Sequence, residues 1–155
     1  MKNFYQKGIS IGEVLVVVAV LAIIFLITIP QFSKSRELQT LKGGVQGILS
    51  SIDKARIETL SSLNSSVYGV HFQSDKVIIF TGTVFSSGAV SNENISFTSP
   101  ASITNVTFGG VSSASGNVYF NRLSGAPSTT GTVTISTTSY SKIITISATG
   151  VASSS

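Results

Sequence analysis

The sequence predicts an α+β protein in which a long N-terminal helix packs on a C-terminal antiparallel β-sheet. Three observations carry this prediction. An unbroken apolar run occupies residues 9–29, and a stripe of apolar residues at helical spacing follows it. The rest of the chain divides into short β-branched segments separated by turn residues. Its 155 residues allow one compact domain and one additional segment.

The composition limits the kind of protein this can be. Charged residues make up 10% of the chain, whereas a soluble domain carries about 25%. Residues 64–155 contain many Ser and Thr and only five charged side chains. The chain has no cysteine, which excludes disulfides, thiol nucleophiles and cysteine-ligated metals. The absence of cysteine does not indicate whether the protein lies in an oxidising or a reducing compartment.

The apolar run is long enough to cross a membrane. At 1.5 Å per residue, residues 9–29 would form about 31 Å of helix, the thickness of the bilayer's hydrocarbon core. A secretory signal has a shorter apolar core followed by a small-residue cleavage site, and no such site follows Ile29. Lys2 and Lys7 precede the run and favour a cytoplasmic N-terminus. A plain signal anchor remains an alternative.

Glu13 is the one charged residue within the run. A charge near the bilayer centre costs about 2.5 to 3.5 kcal/mol, so this carboxylate either reaches the interface or finds a partner. Cleavage after the small residue Gly8 would give Ile9 a free α-amine, four residues from Glu13 on one helix face. The same two charges could pair between staggered copies of the chain.

The stretch Lys7-Gly8-Ile9-Ser10-Ile11-Gly12-Glu13-Val14-Leu15 resembles the signal of type IV prepilins and type II secretion pseudopilins. The resemblance implies the pilin fold, with residues 1–8 as a cytoplasmic leader. It also implies cleavage between Gly8 and Ile9 by a prepilin peptidase, followed by N-methylation of Ile9. Glu13 takes the fifth position of the mature chain, as in the family. Ile9 departs from the more usual Phe or Met, and Ile11-Gly12 from Leu-Ile, which affects methylation efficiency and not the class.

Residues 30–63 are predicted to form the amphipathic half of the same helix. One stripe at spacings of three and four contains Leu38, Leu41, Val45, Ile48, Ile52 and Ala55. Gly43, Gly44 and Gly47 weaken a helix, yet the stripe keeps its phase across them, which favours one continuous rod from Ile9 to about Leu63. Pro30 is expected to kink it, and it lies at the position where the family kinks.

Residues 64–155 are predicted to form a β-rich head, with one antiparallel sheet packed on the helix stripe. Period-2 alternation places His71 on the outer strand face, where a surface imidazole is expected. Residues 86–94, 112–116 and 151–155 are expected to be mobile polar loops. The predicted strands are residues 67–73, 76–81, 95–98, 103–108, 117–121, 131–136 and 142–148.

The segment from Ala55-Arg56-Ile57-Glu58 to the first predicted strand resembles the GspH/FimT branch of the same family. Some members of that branch bind DNA through a basic C-terminal motif. The matching tail here, residues 148–152, contains no arginine. DNA binding is therefore not carried over, and nucleic acid is not an expected partner.

No catalytic or metal-binding pattern accompanies these features. The chain has a single histidine, His71, and no Gly-x-Ser-x-Gly elbow, calcium loop or phosphate-binding loop. The sequence therefore predicts a non-enzymatic filament subunit without cofactor or metal. It would be a single-pass inner-membrane precursor, later assembled in a periplasmic or extracellular filament. Predicted partners are the peptidase, the bilayer, an assembly platform and identical or related pilins. The alternatives are a signal-anchored adhesion module that never polymerises and a DNA-uptake minor pilin.

Overall fold

The computed structural model describes residues 8–155, except for the side chains of residues 28–30. The predicted leader therefore lies outside the described residues apart from Gly8. The side chain of Pro30 also lies outside them, and its kink stays a prediction. The chain divides into two compact units between Arg36 and Glu37. Each unit is described by itself below.

A single 50-residue helix, α1 (Ile11–Leu60), runs through the three glycines without a break. The prediction of one continuous helix is confirmed. The helix ends three residues earlier than predicted, because the chain then enters a left-handed turn. Ser62, Asn64 and Ser65 in this turn have φ near +52°, a region in which a helix cannot continue. A short 3₁₀ turn, Leu63–Ser65, leads into the first strand.

Within residues 8–155, nine strands form two antiparallel sheets, where the sequence predicted one. The four-stranded sheet has the order β3-β2-β1-β6 and the five-stranded sheet the order β5-β4-β7-β8-β9. The short connection between β5 and β6 passes from one sheet to the other, because β5 pairs with β4 while β6 pairs with β1. The strands are β1 (Tyr68–Phe72), β2 (Lys76–Thr81), β3 (Glu93–Ser96), β4 (Ser102–Phe108), β5 (Val111–Ser113), β6 (Gly116–Tyr119), β7 (Gly131–Ser136), β8 (Ser141–Ile146) and β9 (Ala152–Ser154).

The expectation of loops at residues 112–116 and 151–155 is wrong. Most of the first segment belongs to β5 and β6, and the second contains β9. β5 and β9 have three residues each, mostly serine, so neither shows the alternation of apolar and polar residues that signals a strand. The expected loop 86–94 is also shorter, because β3 begins at Glu93.

One core lies between the lower part of α1 and the inner faces of both sheets. Its members are nearly all aliphatic or aromatic. The predicted helix stripe is largely confirmed, since Leu41, Ile48, Ile52 and Ala55 are buried. Leu38 is exposed and Val45 half-buried. Gly44 is buried instead, and a Cβ there would lie 2.5 Å from Ile135 Cδ1 of β7. The missing side chain lets helix and sheet approach closely.

Candidate functional site

The predicted cleavage position lies just before the helix begins. Among the described residues, no atom beyond Gly8 and its chain neighbours lies within 4 Å of the place that a Cβ would take at Gly8, and Ile9 is 78% exposed. The carbonyl of Ser10 accepts the first helical hydrogen bonds, from the N–H groups of Glu13 and Val14. The Gly8–Ile9 peptide bond is therefore outside the helix and open to solvent.

Glu13 forms part of a capping box that the sequence analysis missed. The backbone N–H of Ser10 donates to Glu13 Oε2 at 3.3 Å. In return, Ser10 Oγ accepts from the N–H of Gly12, also at 3.3 Å. The motif Ser-x-x-Glu at residues 10–13 is the sequence signature of this cap. One carboxylate oxygen of Glu13 thus stabilises the helix start, while the side chain stays on the exposed surface.

Nothing in the described part of the chain covers the apolar half of α1. Every residue from 9 to 27 is exposed, among them Leu15 at 66% and Leu26 at 74%. The helix is long and apolar enough to cross a membrane. Ile9, Glu13, Val14 and Val17 line one face of it. An apolar surface of this extent requires lipid or protein around it.

Thr59 joins the end of the helix to the start of the sheet. It is completely buried, and its Oγ1 accepts from the backbone N–H of Tyr68 at 2.9 Å. The hydroxyl donates back to the carbonyl of Ala55 at 2.8 Å. This one side chain therefore holds β1 against the last turn of α1.

Arg56 belongs to the junction segment that carries the second family resemblance. Its Nε donates to the carbonyl of Gly125 at 3.2 Å. Gly125 and Gly150 have φ values of +64° and +81°, and a Cβ at Gly150 would clash with Gly125 O. Arg56 therefore ties the loop that follows β6 to the helix, and the loop that follows β8 lies close to the same side chain. Such a structural role explains why this junction would hold an arginine without any nucleic-acid contact.

Two ionic or charge-assisted contacts fix the flanks of the helix. Glu37 Oε2 accepts from the N–H of Ser139 at 3.1 Å, in the turn between β7 and β8. Lys54 pairs with Glu93 of β3. The hydrogen bond with Glu93 raises the pKa of Lys54 above its usual value, against a smaller opposing effect of desolvation. Lys54 is already charged at neutral pH, so the higher pKa does not change its charge there.

The expectation of a surface imidazole at His71 is wrong. The residue does lie on the strand face opposite Val70 and Phe72, but it is only 8% exposed. The loop after β2 folds back over this face, and Phe85 stacks on the imidazole at 3.9 Å between ring centroids. Nδ1 of His71 contacts Asn117 Oδ1 at 2.5 Å. Alternation identifies the face of a strand, but it does not reveal that a distant loop covers that face.

The chain offers little that could hold a metal ion. Within residues 8–155, no group of three His, Asp or Glu side chains comes close enough to ligate one. His71 has an amide and an aromatic ring as its neighbours. The described residues form a packed domain, and the segment that precedes it is an exposed apolar helix.

Comparison with known proteins adds one match. A protein-family model described as type II transport protein GspH matches residues 45–150, well over half of the chain. No curated protein and no solved structure matches the chain. The matched region covers the end of α1 from residue 45, including Arg56, and strands β1 to β8, and it begins after Gly8, Ile9, Glu13 and Pro30.

Proposed function

This chain belongs to the GspH family of type II transport proteins, and from that premise we propose that it is a pilin-like subunit of a secretion or pilus filament. The exposed apolar helix at residues 9–27 is the observation that carries the proposal. An uncovered helix of this kind can exchange lipid for the equally apolar helices of neighbouring subunits. The part of the chain from residue 64 to 155 is called the β domain below. The β domain would then face outward.

The proposal includes processing at the N-terminus. A prepilin peptidase cuts between Gly8 and Ile9, and Ile9 is then N-methylated. Two observations support this step: the Gly8 backbone is unobstructed, and the helix begins only at Ile11. The leader would be cytoplasmic and the β domain would lie on the other side of the inner membrane. An assembly platform in that membrane would receive the processed chain.

Glu13 sets the register of assembly in this proposal. Its carboxylate pairs with the α-amine of Ile9 in a neighbouring subunit, because an unpaired charge among apolar helices is costly. The capping box leaves this possible, since only Oε2 is engaged with Ser10 and the side chain is exposed.

Variants at Glu13 and Ser10 separate pairing from capping. Glu13→Gln retains an acceptor for the cap but removes the charge. We expect it to be cleaved normally and to assemble no filaments, as judged by gel mobility and by electron microscopy of sheared material. Ser10→Ala weakens the cap, retains the charge, and is expected to assemble. Normal filaments from Glu13→Gln would refute the pairing role.

The processing step has its own test. Mass spectrometry of the native protein is expected to show a chain that begins at Ile9 and carries one added methyl group. Gly8→Ala should leave the precursor uncut, because the proposed cleavage requires a residue without a side chain before the bond. A native chain that retains residues 1–8 would contradict the proposed processing.

A further inference from the structure

Two sheet edges lie on opposite sides of the same stretch of α1. β3 is an edge of the four-stranded sheet, and β9 is an edge of the five-stranded sheet. β3 lies beside Gly43 and Gly47 of the helix, whereas β9 reaches a groove formed by Val45 and Leu49. Two residues along a helix correspond to a rotation of about 200°, so the two strands flank α1 at the same height on nearly opposite sides.

β3 and β9 also run in the same direction along the helix. β3 begins at Glu93, which pairs with Lys54, and then passes Gly47. β9 follows the loop that lies close to Arg56, and its Ser154 lines the groove on the other side of the helix. Both strands therefore run from the C-terminal part of α1 toward its N-terminal part. In two copies whose helices are parallel, β3 of one copy and β9 of the other are parallel as well.

Each of these edges presents backbone groups that point away from its sheet. The N–H of Phe97 donates to the turn before β2, and the N–H of Ser155 donates to β8. Because donors alternate in direction along a strand, the residues one and three positions before these two point outward. They are Asn94 and Ser96 on β3, and Ala152 and Ser154 on β9. An edge of this kind accepts a further strand.

The edge at β3 has room for such a strand. It borders an open groove on the helix with a volume of about 400 Å³. Gly43 and Gly47 have no side chains to fill this groove, and the position of a Cβ at Gly43 is open. The residues of β9 are one alanine and two serines, which are small enough to enter it. Neither strand contains lysine or proline, the residues that commonly protect an edge from pairing.

The two sides of the helix carry complementary charge. Lys42 and Lys142 are exposed beside the groove next to β9 and have no ion-pair partner in the described part of the chain. On the side of β3, Lys54 lies near two acids, Glu58 and Glu93. The side of β9 is therefore positive, and the side of β3 has one acid in excess. Opposite charge favours an approach of these two sides over an approach of two like sides.

We propose that β9 of one copy of this chain adds to the edge of β3 in the next copy, as a parallel strand that continues the sheet from subunit to subunit. In the shared ladder the N–H of Asn94 donates to the carbonyl of Ala152, and the N–H of Ser154 donates to the carbonyl of Asn94. The inference rests on the proposed filament function and adds a lateral contact between β domains to the pairing at Glu13. The two edges differ and lie on opposite sides of the helix, so the same step repeats from copy to copy while the helices stay side by side.

Cysteine cross-linking tests the contact, because the chain contains no cysteine of its own. The parallel ladder places Asn94 opposite Ser153 of the neighbour at about 4.8 Å, a separation that a disulfide can bridge. Filaments of the full-length double variant Asn94→Cys/Ser153→Cys should therefore form a ladder of disulfide-linked multimers on oxidation. A bond within one chain is excluded, because α1, about 10 Å wide, separates the two positions.

Two controls identify the edges that meet. Asn94→Cys/Val111→Cys has the same number of cysteines, but its second one lies on β5, an exposed edge that the contact does not use. This variant should give no ladder. Mixed filaments of Asn94→Cys chains and Ser153→Cys chains should give dimers and nothing larger. Each single variant alone should give monomers.

A proline on β9 provides a second measurement. Ser154→Pro removes an N–H that points away from β8 and donates to the neighbour in the proposed ladder. Filament yield should fall about fivefold, as expected for one lost hydrogen bond. Thermal unfolding of the full-length variant in detergent should be unchanged. Ser154→Ala keeps the N–H and should assemble normally.

The outcomes distinguish the lateral contact from the filament itself. Filaments of Asn94→Cys/Ser153→Cys without a ladder, or an equally strong ladder in Asn94→Cys/Val111→Cys, would overturn the strand pairing and leave the filament function standing. Dimers from a single variant would mean that like edges meet, which also overturns the pairing. A cross-link to a different protein would overturn the second copy as occupant. A wild-type chain that enters no filament at all would overturn the proposed function.

Discussion

Gly43 and Gly44 are neighbours on one helix, but a methyl group added at each position meets different surroundings. A Cβ at Gly43 meets nothing within 4 Å, whereas one at Gly44 lies 2.5 Å from Ile135 Cδ1. We expect Gly43→Ala to stabilise the protein by up to about 1 kcal/mol, through helix propensity. Gly44→Ala should destabilise it by about 1 kcal/mol, because overpacking costs more than propensity returns.

Thermal unfolding of the detergent-solubilised protein would measure both variants. The double variant Gly44→Ala/Ile135→Val serves as the control, because valine lacks the Cδ1 atom that the new methyl group would strike. It should be more stable than Gly44→Ala alone. If Gly43→Ala and Gly44→Ala were equally stable, the close approach of helix and sheet at Ile135 would not affect the free energy of unfolding.

Thr59 is the residue on which the helix–strand junction depends. Thr59→Val preserves the shape of the side chain but leaves the buried N–H of Tyr68 without its acceptor, at a cost of about 1 to 3 kcal/mol. Thr59→Ser retains the hydroxyl and should keep more of the stability. Urea unfolding gives the free energies, and hydrogen exchange at Tyr68 should accelerate in the valine variant alone. Unchanged protection at Tyr68 would contradict this account.

At the scale of elements, β9 provides a test of how the C-terminus is held. The N–H of Ser155 donates to the carbonyl of Ile143, and the carbonyl of Val151 accepts from Ser147. Backbone groups alternate in direction along an antiparallel strand, so the N–H of Ser153 also faces β8 while that of Ser154 faces outward. Ser153→Pro should therefore lose a ladder bond, at about 1 kcal/mol.

The matched control for that prediction is Ser154→Pro, which removes an N–H on the free edge of the sheet. Limited proteolysis of the tail reports the difference, and only Ser153→Pro should make residues 151–155 accessible. Equal accessibility in both variants would indicate that β9 is not held by this ladder.

An element could be predicted from the sequence when it buries several apolar residues at regular spacing. α1 was predictable because its buried residues recur with the helical period, even across Gly44. β8 was predictable because Ile144 and Ile146 are buried while Thr145 is exposed. β5 and β9 could not be predicted, since they are held by backbone pairing and contribute little to the core. The signal missed at the site was the Ser-x-x-Glu cap at residues 10–13.

At the scale of the whole molecule, the family match lies within the second compact unit, which contains the packed core. The packed core lies within residues 41–152, and the family model covers most of that region. The exposed helix contributes no buried residue from 8 to 27. The proposed processing and assembly residues, Gly8, Ile9 and Glu13, lie in or just before this helix. They were predicted from the resemblance at residues 7–15.

The division of the chain into two compact units predicts that the β domain folds without the apolar helix. A chain that begins at Gln31 retains every core residue, from Leu41 through Ile146 to Ala152, and loses only a surface that needs lipid or neighbouring subunits. We expect it to remain in solution without detergent and to unfold cooperatively. Its midpoint should lie within about 4 °C of that of the full-length chain in detergent, the shift that about 1 kcal/mol would cause. Truncation to Gln46 removes Leu41 and Gly44 and should destabilise the domain strongly. If the chain from Gln31 were unfolded, the apolar segment would have to stabilise the β domain directly.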